Sequence, residues 1–225
     1  MDSLFYAMLT GHLIADFWLQ PSKWVMCKQK NGWKSKHLFF HALIAAILPV
    51  LFTMQIELWW FVPVIFIVHY LVDFMKSKSR DGFVAFITDQ TVHIGLLLGL
   101  SFLIYHPESA FLSQQFWIFS AGFVLVTTPT GILIGKFLQM ITLTQNTPLK
   151  TNASAWIGMI ERILILIFIL AGHIQAIGFL VAAKSIFRFS ETQKEGNPKA
   201  EYFLLGTLVS FLVAILVGMG IKNVL

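Results

Sequence analysis

The sequence predicts an all-α, polytopic membrane helix bundle of about eight transmembrane helices with both termini outside. Three observations predict it. Of the 225 residues, 57% are hydrophobic and 12% are charged, about half the roughly 25% charge of a soluble domain. Long apolar segments recur along the chain, each near the roughly 20 residues that cross about 30 Å of hydrocarbon. The basic residues fall in alternate connections between those segments, as the positive-inside rule requires.

Eight segments carry the prediction: 3–20, 37–55, 58–76, 83–105, 116–141, 155–172, 174–189 and 202–222. The first and seventh are short, and a tight turn near Gly172-His173 joins the sixth to the seventh. No alternation of the β-barrel kind is present, and backbone groups in lipid must be satisfied internally, which leaves helices. Lys23, Lys28, Lys30, Lys34 and Lys36 follow the first segment; Lys76, Lys78 and Arg80 follow the third; Lys150 follows the fifth; Lys194 and Lys199 follow the seventh. The opposite connections carry Glu57 and Glu108 but no Lys or Arg, and Lys222 alone breaks the pattern. The lysine-rich side is therefore expected to be cytoplasmic. The stretch "PSKWVMCKQKNGWKSK" mixes Trp24 and Trp33 with lysines and is expected to lie along an anionic leaflet, a contact with membrane lipid.

Composition also excludes classes. The net charge of +5 reads as topology and not as a nucleic-acid footprint, because the aromatic residues sit in apolar runs. A single cysteine, Cys27, excludes an internal disulfide and a cysteine metal cage. The N-terminus carries Asp2 and no basic n-region, so the first segment is expected to stay as a helix. Two regions are expected, 1–106 with a four-helix His/Asp bundle and 107–225 with a Glu/Arg/Lys layer. A break near "NTPLKTNAS", 146–154, further divides the chain. In the fifth segment "TTPTG" should kink or interrupt the helix at Pro129 and Gly131.

The chemistry lies in four pairs. His12 and Asp16, His37 and His41, His69 and Asp73, and Asp89 and His93 each stand four residues apart on consecutive segments. An i,i+4 pair projects from one helix face, about 6 Å apart along the axis. That spacing lets two side chains converge on one ion, as in helical zinc and di-iron sites. The first three pairs match in depth near the lysine-rich side. The fourth lies deeper unless "GFVAFI" is an interfacial lead-in. Imidazole and carboxylate without thiolate suit a divalent metal, Zn, Fe or Mn. Eight candidate ligands exceed one tetrahedral shell and point to one or two ions with supporting partners. Tyr70 and Gln90 are candidates for that support, Gln90 by holding a ligand carboxylate or imidazole. The same pairs also admit a proton or ion pathway, or plain interhelical hydrogen bonding.

A second polar layer follows. Glu161 and Arg162 lie in the sixth segment, Lys184 and Arg188 one turn apart in the seventh, and Glu201 at the start of the eighth. Arg162, Lys184 and Arg188 could form an anion-binding pocket for phosphate or carboxylate. The competing expectation is that Glu161 and Glu201 pair with them while Lys and Arg reach the interface. Gly158, Gly178 and Gly206 are expected to permit close helix packing.

The stretches "HLIADFWLQ", "HYLVDFMK", "TDQTVH", "GMIERILIL", "IGFLVAAKSIFRF" and "EYFLLGTLVS" resemble bacterial membrane proteins of domain-of-unknown-function family 3307. The first half carries that family's His/Asp pattern, and the second resembles the extension of its longer members. The resemblance implies a multi-pass protein of the bacterial inner membrane and supplies no substrate. In pattern alone the His/Asp spacing is also similar to membrane-bound metal-dependent hydrolases. The leading expectation is an integral-membrane metalloprotein. If it is an enzyme, it would hydrolyse a lipid-like or phosphorylated substrate, with the catalytic residue unassigned. An ion- or proton-coupled transporter and a structural membrane protein are the alternatives.

Overall fold

A computed structural model describes residues 3–79, 81–103, 112–142, 152–189 and 198–224, all helix, turn or short connection with no strand among them. The elements are α1 (Ser3–Phe17), α2 (Ser22–Asn31), α3 (Lys36–Thr53), α4 (Phe61–Lys78), α5 (Phe83–Leu103), α6 (Gln114–Val126), α7 (Thr128–Thr142), α8 (Asn152–Leu170), α9 (Ile174–Phe189) and α10 (Pro198–Val224). Short 3-10 turns at Gly32–Lys34 and Ile56–Trp60 lead into α3 and α4. Among the described residues, six helices are long and apolar enough to cross a membrane: Lys36–Thr53, Ile56–Lys78, Phe83–Leu103, Gln114–Ile141, Ala153–Leu170 and Tyr202–Val224. These make the chain a multi-pass helix bundle by length and composition. The two segments expected to be short are short. Helix α1 has 15 residues, about 22 Å of axis, and the apolar part of α9 is Ile174–Ile186.

The chain forms two compact units, Met1–Val124 and Leu125–Leu225. The division falls later than the 106/107 boundary expected from composition, because most of α6 goes with the first unit. In the first unit α1 packs on α3, α3 on α4, α4 on α5, and α5 closes back on α1. Consecutive helices run in opposite directions around this ring, so sequence position sets height. Leu4, Phe5 and Met8 of α1 meet Ala46 and Val50 of α3, Phe61 and Ile65 of α4, and Leu97 and Leu100 of α5 in one apolar core. The other end receives residues 12–16, 37–41, 69–73 and 89–93. A short α1 suits this plan, since its residues from Leu4 to Ala15 are largely buried by neighbours.

The α1–α3 contact is close because of two residues. Pro49 inside α3 lacks an N–H and leaves the carbonyl four residues back without its helical donor. Gly11 faces it: a Cβ there would stand 2.7 Å from both Pro49 Cα and Pro49 N. Backbone atoms cannot yield as a side-chain tip can, so only glycine allows this approach. The lysine-rich stretch that follows the first segment forms α2. On α2, Lys23 and Lys30 are exposed while Lys28 is 5% exposed.

In the second unit α8 and α10 pack together with α7, and α9 packs on α8. The core is Ile165, Ile169, Ile177, Phe211 and Ala214. Close packing holds at Gly206, where a Cβ would lie 3.0 Å from Leu138 Cδ1. At Gly178 no atom lies within 4 Å of a built Cβ, so the expected packing role fails there. The fifth segment breaks as expected, at Thr127 between α6 and α7. Pro129 cannot donate to the Leu125 carbonyl, and the Thr130 hydroxyl donates to it instead at 2.6 Å. Arg162 serves the next two carbonyls. Its Nε donates to Val126 O, its Nη2 to Thr127 O at 2.8 Å, and its Nη1 to Ser210 Oγ at 3.2 Å. Gly131 and Gly158 leave room for the guanidinium, with built Cβ atoms 3.5 and 3.4 Å from it.

Three substitutions check these contacts. Gly11→Ala should lower stability by about 1–3 kcal/mol through overpacking, read as a lower thermal unfolding midpoint in detergent. Arg162→Ala should cost about 4–5 kcal/mol, from three hydrogen bonds to a charged group at about 1.5 kcal/mol each. Arg162→Lys should recover little of it, because an ammonium cannot reproduce the planar fork. Wild-type stability of Arg162→Lys would contradict this account.

Candidate metal centre

Antiparallel order brings three of the four sequence pairs, and half of the fourth, to one layer of the first unit. His12, His41, His69, Asp73, Asp89 and His93 are all buried, and the Asp16 side chain is 8% exposed. The fourth pair is not deeper than the others. The His93 ring stacks on His69 at 4.0 Å between centroids and lies 5.4 Å from His12. Helix α5 begins at Phe83, so "GFVAFI" holds its first turn, and Asp89 comes level with Lys76 near the end of α4.

The centre of the layer is Asp16 Oδ1. It lies 3.7 Å from His12 Nδ1, 3.5 Å from His41 Nε2 and 3.5 Å from His69 Nε2. It is buried and accepts no hydrogen bond among the described residues. His41 Nε2 and His69 Nε2 face each other at 3.0 Å, and Asp73 Oδ2 lies 3.5 Å from His41 Nε2. In a tetrahedral site with ligands about 2.0 Å from the metal, ligand atoms lie about 3.3 Å apart. The separations among Asp16, His41 and His69 bracket that value. A second group, His12, Asp16 and His93, shares the same carboxylate, with ligand atoms within 4.8 Å of one another in each group.

Gln90 fixes the protonation pattern. Its Nε2 donates to Asp16 Oδ2 at 3.2 Å and to Asp89 Oδ2 at 3.1 Å. That orientation turns Oε1, which can only accept, toward His12 Nε2 at 3.3 Å. His12 must then carry its proton on Nε2. A neutral His12 presents a lone pair at Nδ1, facing the lone pairs of Asp16 Oδ1. Either a second proton or a cation between them relieves that opposition. Both ring nitrogens of His93, together with Asp89 Oδ1 and His41 Nδ1, are also buried without a hydrogen-bond partner. Each such atom costs about 1–3 kcal/mol.

Two lysines complete the layer. Lys28 of α2 pairs with Asp73, and Lys76 of α4 pairs with Asp89. Linear spacing gave no sign of either role: Lys28 reads as one of five loop lysines, and Lys76 as a helix-end charge. His37 sits elsewhere, its Nδ1 3.2 Å from Cys27 Sγ and its ring 5.4 Å from Trp24. Tyr70 does not support the cluster; its hydroxyl donates to the Trp33 carbonyl at 2.8 Å.

The second polar layer forms no free cationic pocket from its described side chains. Arg162 is held by backbone carbonyls and Ser210, and Lys184 pairs with Glu161. The side chains of Arg188 and Glu201, and the connection at 143–151, lie outside the described residues.

The model of a family described as protein of unknown function (DUF3307) matches residues 4–120. No curated protein and no solved structure gave a match. The matched stretch is more than half of the chain and contains every residue of the His/Asp/Gln layer. This chain belongs to the DUF3307 family.

Proposed function

We propose that the protein is an integral-membrane metalloprotein whose centre is built on Asp16, His12, His41, His69 and His93, near the cytoplasmic leaflet of a bacterial inner membrane. The observation that carries the reading is the Asp16 oxygen, buried without a donor and faced by three imidazole nitrogens. Purely structural hydrogen bonding would leave fewer orphaned atoms, since buried polar groups are normally paired. The two ligand groups that share Asp16 favour two divalent ions, Zn, Fe or Mn. Such ions supply Lewis-acid polarisation and a nucleophilic water at neutral pH. The protein's own part is to hold the ligands, to fix the His12 tautomer through Gln90, and to balance Asp73 and Asp89 with Lys28 and Lys76. The activity that suits this is metal-dependent hydrolysis of a lipid-like or phosphorylated substrate. A transport route through the broken helix has less support, because the carbonyls at the break already accept hydrogen bonds from Thr130 and Arg162.

Metal analysis tests the proposal. Full-length protein purified in detergent without chelators should hold one to two equivalents of Zn, Fe or Mn. His69→Ala and Asp16→Asn should lose most of it, whereas His37→Ala should keep it. A metal-free wild type, or full metal content in His69→Ala, would end the reading. Gln90→Leu should retain the centre with roughly 10–100-fold weaker metal affinity, the usual cost of losing an outer partner, measured by competition with a chelator.

A further inference from the structure

We infer that the centre takes an oxyanion of the phosphate class, held jointly by the metal ions and by the ammonium groups of Lys28 and Lys76. The inference rests on the metal reading above and names the ligand that the same site would accept.

Charge is the first reason. Asp16, Asp73 and Asp89 face Lys28 and Lys76, which leaves a single negative charge with neutral imidazoles. One divalent ion reverses it to a single positive charge, and two leave three. A buried excess of that size is unfavourable without an anion to share it. The ligand should therefore carry two or more negative charges on compact oxygens, which a phosphate group does.

The placement of the lysines is the second reason. Of the five lysines between α1 and α3, Lys23, Lys30, Lys34 and Lys36 are exposed. A topology signal needs nothing more. Lys28 alone turns inward, its side chain 7% exposed. The Lys76 side chain is 27% exposed at the more open edge. Each ammonium has three N–H groups and gives one to a carboxylate, which leaves donors for a second acceptor. Metal ions would draw charge from Asp73 and Asp89 and weaken the hold of those carboxylates on the lysines. The exposed lysines around the same end add a positive field that draws anions inward. In the pocket expected from Arg162, Lys184 and Arg188, all three guanidinium nitrogens of Arg162 are already held by Val126 O, Thr127 O and Ser210 Oγ.

The phosphate could belong to a lipid headgroup or be free in solution, and two arms separate these sources. The full-length chain is loaded with manganese, and its metal content is measured first. Inorganic phosphate is then titrated in by calorimetry. In parallel, the protein in phosphatidylcholine vesicles is compared with the protein in vesicles containing phosphatidic acid, by thermal unfolding. Binding in either arm is expected, and it should vanish after chelation. Lys28→Met and Lys76→Met should weaken it about tenfold each, read per metal-loaded chain after the metal content of each variant is measured, and Lys28→Arg should restore much of the loss. Should Lys28→Met fail to fold with Asp73 unpaired, Lys76→Met gives the reading alone. A chain that holds metal but binds phosphate in neither arm overturns this inference and spares the metal reading. Lys76→Met binding phosphate as tightly as wild type also overturns it. A chain that takes up no metal fails at the first measurement, and both fall together.

Discussion

The structure of the first unit depends on one constraint: a carboxylate, Asp16, is held in an apolar bundle with no donor for one of its oxygens. Everything around it answers that cost. Three imidazoles turn nitrogens toward the oxygen, Gln90 takes the other oxygen, and two lysines neutralise the neighbouring acids. Burial of ionised groups is tolerated only when they are paired or share a cation. The tight α1–α3 seam at Gly11 and Pro49 matters for the same reason, since it sets the height and closeness at which His12 and Asp16 meet His41.

The two polar layers of the chain solve different problems. In the second unit, Pro129 opens a gap in the helix that the Thr130 hydroxyl fills at the Leu125 carbonyl, while Arg162 donates to the next two carbonyls and to Ser210. Every nitrogen of that guanidinium has a described acceptor, so its role is to keep a broken helix satisfied in an apolar setting. In the first unit, several polar atoms remain without protein partners. A satisfied polar network reads as architecture; an unsatisfied one that converges reads as a site. That difference, and not the amount of charge, separates the two layers.

Chemical type follows from the donor set. Imidazole and carboxylate favour intermediate and hard first-row cations, and a shared carboxylate favours a pair of ions. The layer is enclosed by α1, α3, α4 and α5, and the lysine-bearing α2 packs against α3 and α4. The family to which the chain belongs carries no described activity, so this chemistry stands on the geometry of the site alone.

Much of this was legible in the sequence. Apolar length and alternating basic connections determined a membrane bundle, because lipid leaves the backbone few choices. The i,i+4 pairs determined which helices bring His and Asp to one face, because helical periodicity is local. The amide of Gln90 beside the His/Asp pairs and the helix break next to Pro129 were also local facts. Tertiary structure alone decided that His37 turns to Cys27, that Tyr70 holds the Trp33 carbonyl, and that Lys28 points inward. It alone made Arg162 a backbone partner and put the fourth pair level with the rest. The physical reason is the same in each case. Spacing fixes the face of a helix on which a side chain stands, but which neighbour that face meets, and at what height, is set by packing between segments far apart in the chain.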